Sequence, residues 1–221
     1  MTDRRSSISG LYAVTPDAVE SAWLRARVEQ ALAGGARVVQ YRSKSPERAL
    51  RLSQARELAA LCRLQGVLFI VNDDVEIARE CGADGVHLGR EDTAIAAARA
   101  RLGRSALIGA SCYGDLVRAQ QCVDAGADYL AFGSFFASAV KPGAARTPVA
   151  VLSEARKRWP LPLVAIGGLT PANAAPVLAA GADALAVISA LFHVPDTCAA
   201  AQAFARLFEA RSSSASLDAT A

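Results

Sequence analysis

Short apolar runs alternate with longer segments in which apolar residues recur every three or four positions, and this alternation repeats along almost the whole chain. The runs Leu11–Val14, Val38–Arg42, Leu68–Val71, Gly85–Leu88, Ala106–Ala110, Tyr129–Phe132, Leu163–Ile166 and Ala184–Ile188 have the length and bounding turn residues of buried strands. The segments between them carry a helical period, with Leu24, Val28, Ala31 and Leu32 in the first, Leu52, Ala55, Ala59 and Cys62 in the second, and Leu116, Ala119 and Val123 in the fifth. Ser45-Pro46 and Thr170-Pro171 read as helix starts with proline at the first helical position. Further helices are expected over Thr93–Leu102 and Val149–Arg158, and a last one carries Phe204, Leu207 and Phe208. A helix-length crossover makes successive strands parallel. Eight strands and eight helices in strict order predict an α/β fold, a single (β/α)8 TIM barrel with a parallel eight-stranded core, over residues 10–210. The triplets Gly82-Ala83-Asp84, Gly126-Ala127-Asp128 and Gly181-Ala182-Asp183 each end a helix and precede a strand, which puts them on the bottom face with a stabilising role.

Composition narrows the classes of function. The 221 residues are 52% hydrophobic, enough for one large core, and no apolar run reaches the length of a membrane span. The 24 basic and 21 acidic residues are interspersed, so the net charge of +3 suits small anionic substrates and not nucleic acid. Five cysteines without C-x-x-C spacing read as free thiols in a reducing cytoplasm. Residues 1–9 are polar, without the apolar segment of a secretion signal, and they and residues 211–221 are expected to be disordered. Whether the chain forms a homo-oligomer stays open.

The chemistry-bearing residues follow the strands. Asp73 lies just past the third strand and Asp92 just past the fourth, two neighbours about 4.8 Å apart. Two converging carboxylates suit a hard cation such as Mg²⁺, which takes one or two of them and leaves its other positions to phosphate and water. Helix capping is the alternative for each, and Asp74 is the best pure cap. Gln40, Arg42 and Lys44 share one face after the second strand, facing an anion at the mouth or lying solvated on its rim. The long segment after the sixth strand, Gly133–Gly143, carries one lysine, Lys141, and reads as a flap; a plain surface loop fits less well with adjacent Phe135 and Phe136. Gly167-Gly168 before Thr170-Pro171, together with Ile188-Ser189, has the position of a phosphate cradle. Ser111 either contacts ligand or caps the fifth helix, and Asn72 suits an amide-like or aminopyrimidine edge. Cys112 has no histidine to activate it, His87 reads as a packed strand residue, and His193 has no assigned role. Two anion sites at one mouth point to a diphosphate and a monophosphate.

Gln40-Tyr41-Arg42-Ser43-Lys44, Val71-Asn72-Asp73-Asp74, Gly82–Gly89, Ala131–Phe136 and Ala165–Leu169 together resemble the thiamine-phosphate synthase family, in order, across nearly all of residues 11–210. The resemblance implies a transferase of thiamine biosynthesis. Such enzymes join 4-amino-2-methyl-5-(diphosphooxymethyl)pyrimidine (HMP-PP) to thiazole phosphate and release pyrophosphate by a dissociative route assisted by Mg²⁺, one ion per site. It implies that Gln40, Tyr41, Arg42, Ser43, Lys44, Asn72, Ser111 and Lys141 bind HMP-PP, with Arg42, Lys44, Ser111 and Lys141 acting in catalysis. It further implies that Asp73 and Asp92 hold Mg²⁺, and that Ser138, Ala139, Val140, Gly168, Ile188 and Ser189 hold thiazole phosphate. Two departures stand out: Val140 where the family usually has threonine, and Arg90 where it usually has glutamine. Competing expectations are a thiazole tautomerase of the same barrel, which should lack the metal and diphosphate residues, a protein that only senses a phosphorylated thiazole, and a sugar-phosphate isomerase, which should show a carboxylate or histidine base.

Overall fold

The computed structural model describes residues 4–17, 20–137 and 145–218, the side chains of 4 and 212–218 excepted. Its strands are β1 (Gly10–Val14), β2 (Ala36–Tyr41), β3 (Leu68–Asn72), β4 (Gly85–Leu88), β5 (Leu107–Tyr113), β6 (Tyr129–Phe132), β7 (Leu163–Ile166) and β8 (Ala184–Val187). Each pairs in parallel with the next, and β8 returns to β1, so the barrel is closed. The helices are α1 (Ser21–Ala33), α2 (Arg48–Leu64), α3 (Val75–Cys81), α4 (Ile95–Leu102), α5 (Leu116–Asp124), α6 (Ala150–Arg158), α7 (Ala175–Ala179), α8 (Ser189–Phe192) and α9 (Thr197–Asp218).

The alternation of side chains along the strands builds two apolar layers. Tyr12, Val14, Val38, Ile70, Leu107, Tyr129 and Val164 fill the barrel interior, whereas Leu11, Val39, Phe69, Val86, Ile108 and Leu130 pack outward against the helices. Both faces of a parallel sheet are thus dry, which is why the strands read as unbroken apolar runs.

The three Gly-Ala-Asp turns repeat one hydrogen-bonding device. The amide of Asp84 donates to the carbonyl of Phe69 while its carboxylate accepts from the Phe69 amide, at 2.8 and 2.9 Å. Asp128 does the same with Ile108 in β5, and Asp183 with Leu163 in β7. Each aspartate therefore locks the base of one strand to the start of the next.

Several boundaries differ from the sequence reading for local reasons. α2 begins at Arg48, because Ser45 Oγ accepts from the Glu47 amide (3.2 Å) and closes a turn before the helix starts. Thr170-Pro171 does not open α7. Asn173 accepts from the Thr170 amide (2.8 Å) and donates to the Gly168 carbonyl (3.0 Å), holding a turn in place of a helical start. Both ends, expected to be disordered, carry local structure among the described residues, and residues 1–3 and 219–221 lie outside them. Arg4–Ser7 forms a 3-10 turn, and Ile8, 1% exposed, joins the interior cluster, since the floor of the barrel would otherwise leave apolar surface in water. At the other end α9 runs past residue 210 to Asp218, because extending an existing helix costs less than starting one.

Candidate active site

The carboxyl ends of the strands open onto a cavity of about 730 Å³. Gln40, Arg42 and Asn72 line one side, Gly167, Gly168 and Ser189 the other, and His87 and Tyr129 lie below. A second cavity of about 650 Å³ adjoins it outside β2 to β4, lined by Ser43, Lys44, Asn72 and Asp73. Asn72 belongs to both.

On the β2 side, Gln40 and Arg42 face the cavity as alternation requires. Tyr41, between them, does not: its hydroxyl donates to Gln54 Oε1 (2.8 Å) in the helix layer. Tyr41, expected among the HMP-PP contacts, therefore turns its side chain away from the mouth, since one step along a strand reverses the face. Thr15 and Asp17, which the sequence reading did not single out, hold the Arg42–Lys44 segment in place. Thr15 Oγ1 accepts from the Arg42 amide (2.8 Å), and Asp17 takes Arg42 Nη1 (2.8 Å) and the Lys44 amide. Lys44 Nζ, on a side chain 62% exposed, lies 3.3 Å from Asp73.

Asp74 caps α3, accepting from the Ile77 amide (2.9 Å), and leaves Asp73 to point into the mouth. Asp73 holds a φ of 65°, a conformation uncommon outside glycine that concentrates at functional sites. Asp92 does not cap α4, whose N-cap is Ala94; it folds back to accept from the Gly89 amide (2.6 Å). The two carboxyl groups meet. Burial first, then the hydrogen bond and charge of Asp92, raise the Asp73 pKa, and Lys44 offsets only part of the rise. Among the described residues no group of three or more His, Cys, Asp or Glu side chains could hold a metal ion. Two crowded hard-oxygen donors beside a phosphate-sized space nevertheless match what Mg²⁺ asks of a protein when substrate supplies the rest.

On the far side, Gly167 (φ 104°) and Gly168 (φ 63°) are needed for a reason beyond a ligand. A side chain on Gly167 would meet Ser134 Oγ at 2.0 Å, and one on Gly168 the Ala137 carbonyl at 2.2 Å. The pair seats the segment after β6, where the Phe136 amide donates to the Gly167 carbonyl (3.0 Å) and Phe135 is buried. The adjacent phenylalanines are anchors of that segment. Ser138, Ala139, Val140 and Lys141, expected on its flap, lie outside the described residues. Ser189 Oγ is buried beside Ile188 at the cavity wall and has no hydrogen-bond partner among the described residues.

A chain of polar side chains crosses the floor. Gln40 Nε2 donates to the Tyr12 hydroxyl (2.9 Å), which lies 2.8 Å from the Tyr129 hydroxyl. Tyr129 in turn lies 3.2 Å from His87 Nδ1, and His87 Nε2 lies 2.9 Å from Ser111 Oγ. Burial raises the pKa of both phenols and pushes His87 down to about 4, against a smaller opposing effect of the Asp92 charge, so all three rings are neutral at pH 7. Ser111 is a strand residue; Asp115 caps α5, accepting from the Arg118 amide (3.0 Å). Nothing in the residue pattern marked Tyr12 and Tyr129, although a tyrosine on the inward face of a barrel strand must find a partner for its hydroxyl.

Residues 11–191 match the family described as thiamine monophosphate synthase. The chain is 55% identical over 206 residues to the thiamine-phosphate synthase of Thiobacillus denitrificans, covering 93% of this chain and 98% of that protein. It is 54% identical to that of Chromobacterium violaceum, covering 92% and 98%. Among solved structures, thiamine phosphate pyrophosphorylase from Pyrococcus furiosus superposes with a TM-score of 0.83 at 33% identity, covering 94% of this chain and 98% of that one. A 3-hexulose-6-phosphate synthase structure, 19% identical with a TM-score of 0.65 over 88% and 98%, shares the barrel alone.

Proposed function

The chain belongs to the thiamine monophosphate synthase family, and from that membership and the cavity at its barrel mouth we propose how its residues carry out the family's transferase reaction. The reaction condenses HMP-PP with thiazole phosphate to give thiamine phosphate and pyrophosphate. One observation supports this assignment of residues above the others. A single cavity runs from Arg42 and Asn72 to Gly168 and the Ser189 hydroxyl, which has no hydrogen-bond partner among the described residues, so a diphosphate and a monophosphate can bind at its two ends.

The bond from the pyrimidine methylene to the diphosphate oxygen breaks first, and the thiazole nitrogen then donates its lone pair to that carbon. The attacking nitrogen carries no proton, so no general base is required. His87 fits that scheme, because both its ring nitrogens are engaged with Tyr129 and Ser111. Arg42, Lys44 and Lys141 stabilise charge gathering on the departing diphosphate, with Ser43 and Ser111 donating to it. Gln40 and Asn72 orient the pyrimidine. Ser138, Ala139, Val140, Gly168, Ile188 and Ser189 hold the thiazole phosphate. Asp73 and Asp92 would hold Mg²⁺, which supplies Lewis-acid stabilisation of the same leaving group. The substrates are small molecules, and no helix among the described residues is long and apolar enough to cross a membrane. Five free cysteines, four of them buried, support a cytoplasmic setting.

Pyrophosphate release from HMP-PP, followed with and without thiazole phosphate and before and after chelation of Mg²⁺, tests this reading. Thiamine phosphate should form only with both substrates and the metal. Full turnover after chelation would remove Asp73 and Asp92 from the mechanism, and no turnover under any condition would remove the reading itself.

A further inference from the structure

We propose that His87 is a positioning residue: held by a buried chain that starts at Gln40, it turns the hydroxyl proton of Ser111 away from the protein and toward the barrel mouth. The inference rests on the reading of Ser111 as a contact for HMP-PP. It follows from counting protons along the five linked side chains, each of which has a fixed supply of donors and acceptors.

Gln40 Nε2 can only donate, so the Tyr12 oxygen receives from it. The proton of Tyr12 then goes to Tyr129, the nearest oxygen at 2.8 Å, and that of Tyr129 goes to His87 Nδ1. A neutral imidazole that accepts at Nδ1 carries its proton on Nε2, and this donates to Ser111 Oγ. Every link is satisfied, and one proton is left over, on Ser111. In the reverse order Ser111 would donate to His87, and the Tyr12 hydroxyl would receive from both Gln40 and Tyr129. Its own proton would then lack an acceptor in a wholly buried place.

Packing holds the chain rigid. The Tyr129 ring lies where a side chain on Gly109 would be, with ring carbon at 2.0 Å from that position, and His87 stacks on it at 5.6 Å between ring centres. Ser111 is held from the other side as well, since Arg118 Nε donates to its carbonyl (2.7 Å). A serine whose donor direction is set before substrate arrives needs no reorganisation as charge gathers on the leaving group.

The test is a double-mutant cycle in steady-state kinetics of HMP-PP and thiazole phosphate with Mg²⁺, using His87→Leu, Ser111→Ala and the pair. A hydrogen bond to an ionised group corresponds to about ten- to hundredfold in rate, so Ser111→Ala should lower kcat by that much. His87→Leu alone should lower kcat about tenfold and leave KM for thiazole phosphate within about twofold, yet cost less than about twofold in the Ser111→Ala background. His87→Gln, whose amide N–H can replace Nε2–H, should recover most of the loss. Additive losses, or an equal loss in His87→Gln, overturn the proposal and leave the role of Ser111 standing. Normal turnover by Ser111→Ala overturns the reading of Ser111, and the proposal with it. Should His87→Leu fail to fold, Tyr129→Phe removes a single oxygen. Its expected loss of about threefold must vanish in the Ser111→Ala background, and persistence of the loss there is equally fatal.

Discussion

The two rims of this barrel use aspartate in opposite ways. At the bottom, Asp84, Asp128 and Asp183 each accept from a strand amide. Asp128, with a side chain only 6% exposed, also pairs with Arg5 and Arg99, and Asp183 pairs with Arg156. At the top, Asp73 and Asp92 meet each other, and Lys44, the cation paired with Asp73, sits on an exposed side chain. A carboxylate satisfied on all sides holds strands together. One crowded against its own kind is destabilising until a cation arrives. The same residue type thus serves stability on one face and, in the proposed function, cation binding on the other, and its neighbours decide which.

Exchanging aspartate for alanine on each rim is the sharpest way to break this contrast. Asp92→Ala should lower kcat by about a hundredfold or more if Asp92 is one of the two carboxylates proposed for Mg²⁺, while the melting temperature changes little, because relief of the like-charge contact offsets loss of the bond from the Gly89 amide. Kinetics and thermal melting on the same sample check both halves, and a large fall in melting temperature would place Asp92 with the bottom-rim group. Asp128→Ala should do the reverse. Leaving Arg99 and the Ile108 amide without their shared partner costs about 3 kcal/mol of stability, seen in denaturant melts, and kcat of the folded fraction should not change.

Ser189→Ala sharpens the contrast from the top. The hydroxyl has no partner to lose among the described residues, so stability should hold within about 0.5 kcal/mol. KM for thiazole phosphate should rise about tenfold, the lower end of the worth of one hydrogen bond to a charged group. The smallest effect belongs to Arg90→Gln. Arg90 lies 3.7 Å from Asp115 and over the Tyr113 ring, both exposed, and such contacts contribute about 0.5 kcal/mol or less. A change of more than about threefold in turnover would show that Arg90 reaches the diphosphate after all.

Strand and helix order was legible in the residues because a parallel strand buried on both faces must be apolar throughout, and a helix packed on one face must be periodic. The same rule exposed Gln40 and Arg42, whose polarity interrupts an apolar run. The family motif adds Tyr41 between them, whose side chain packs into the helix layer, since a motif names consecutive residues while a strand sends alternate ones to opposite faces. The clamps made by Thr15 and Asp17 were not legible, because they join β1 to β2 across 25 or more positions of chain.

What the sequence determined alone was the local part: which segments become strands or helices, that Asp74 caps α3, and that cations and carboxylates gather after the strands. Only the closed barrel decided which side chains share a space. Tyr12 and Tyr129 lie 117 positions apart, and a hydrogen bond between them exists because closure brings their strands to face across one interior. Local preference acts through neighbouring residues on the backbone. The meeting of Asp73 with Asp92, or of His87 with Ser111, depends on strand register and closure, which no short window of residues contains.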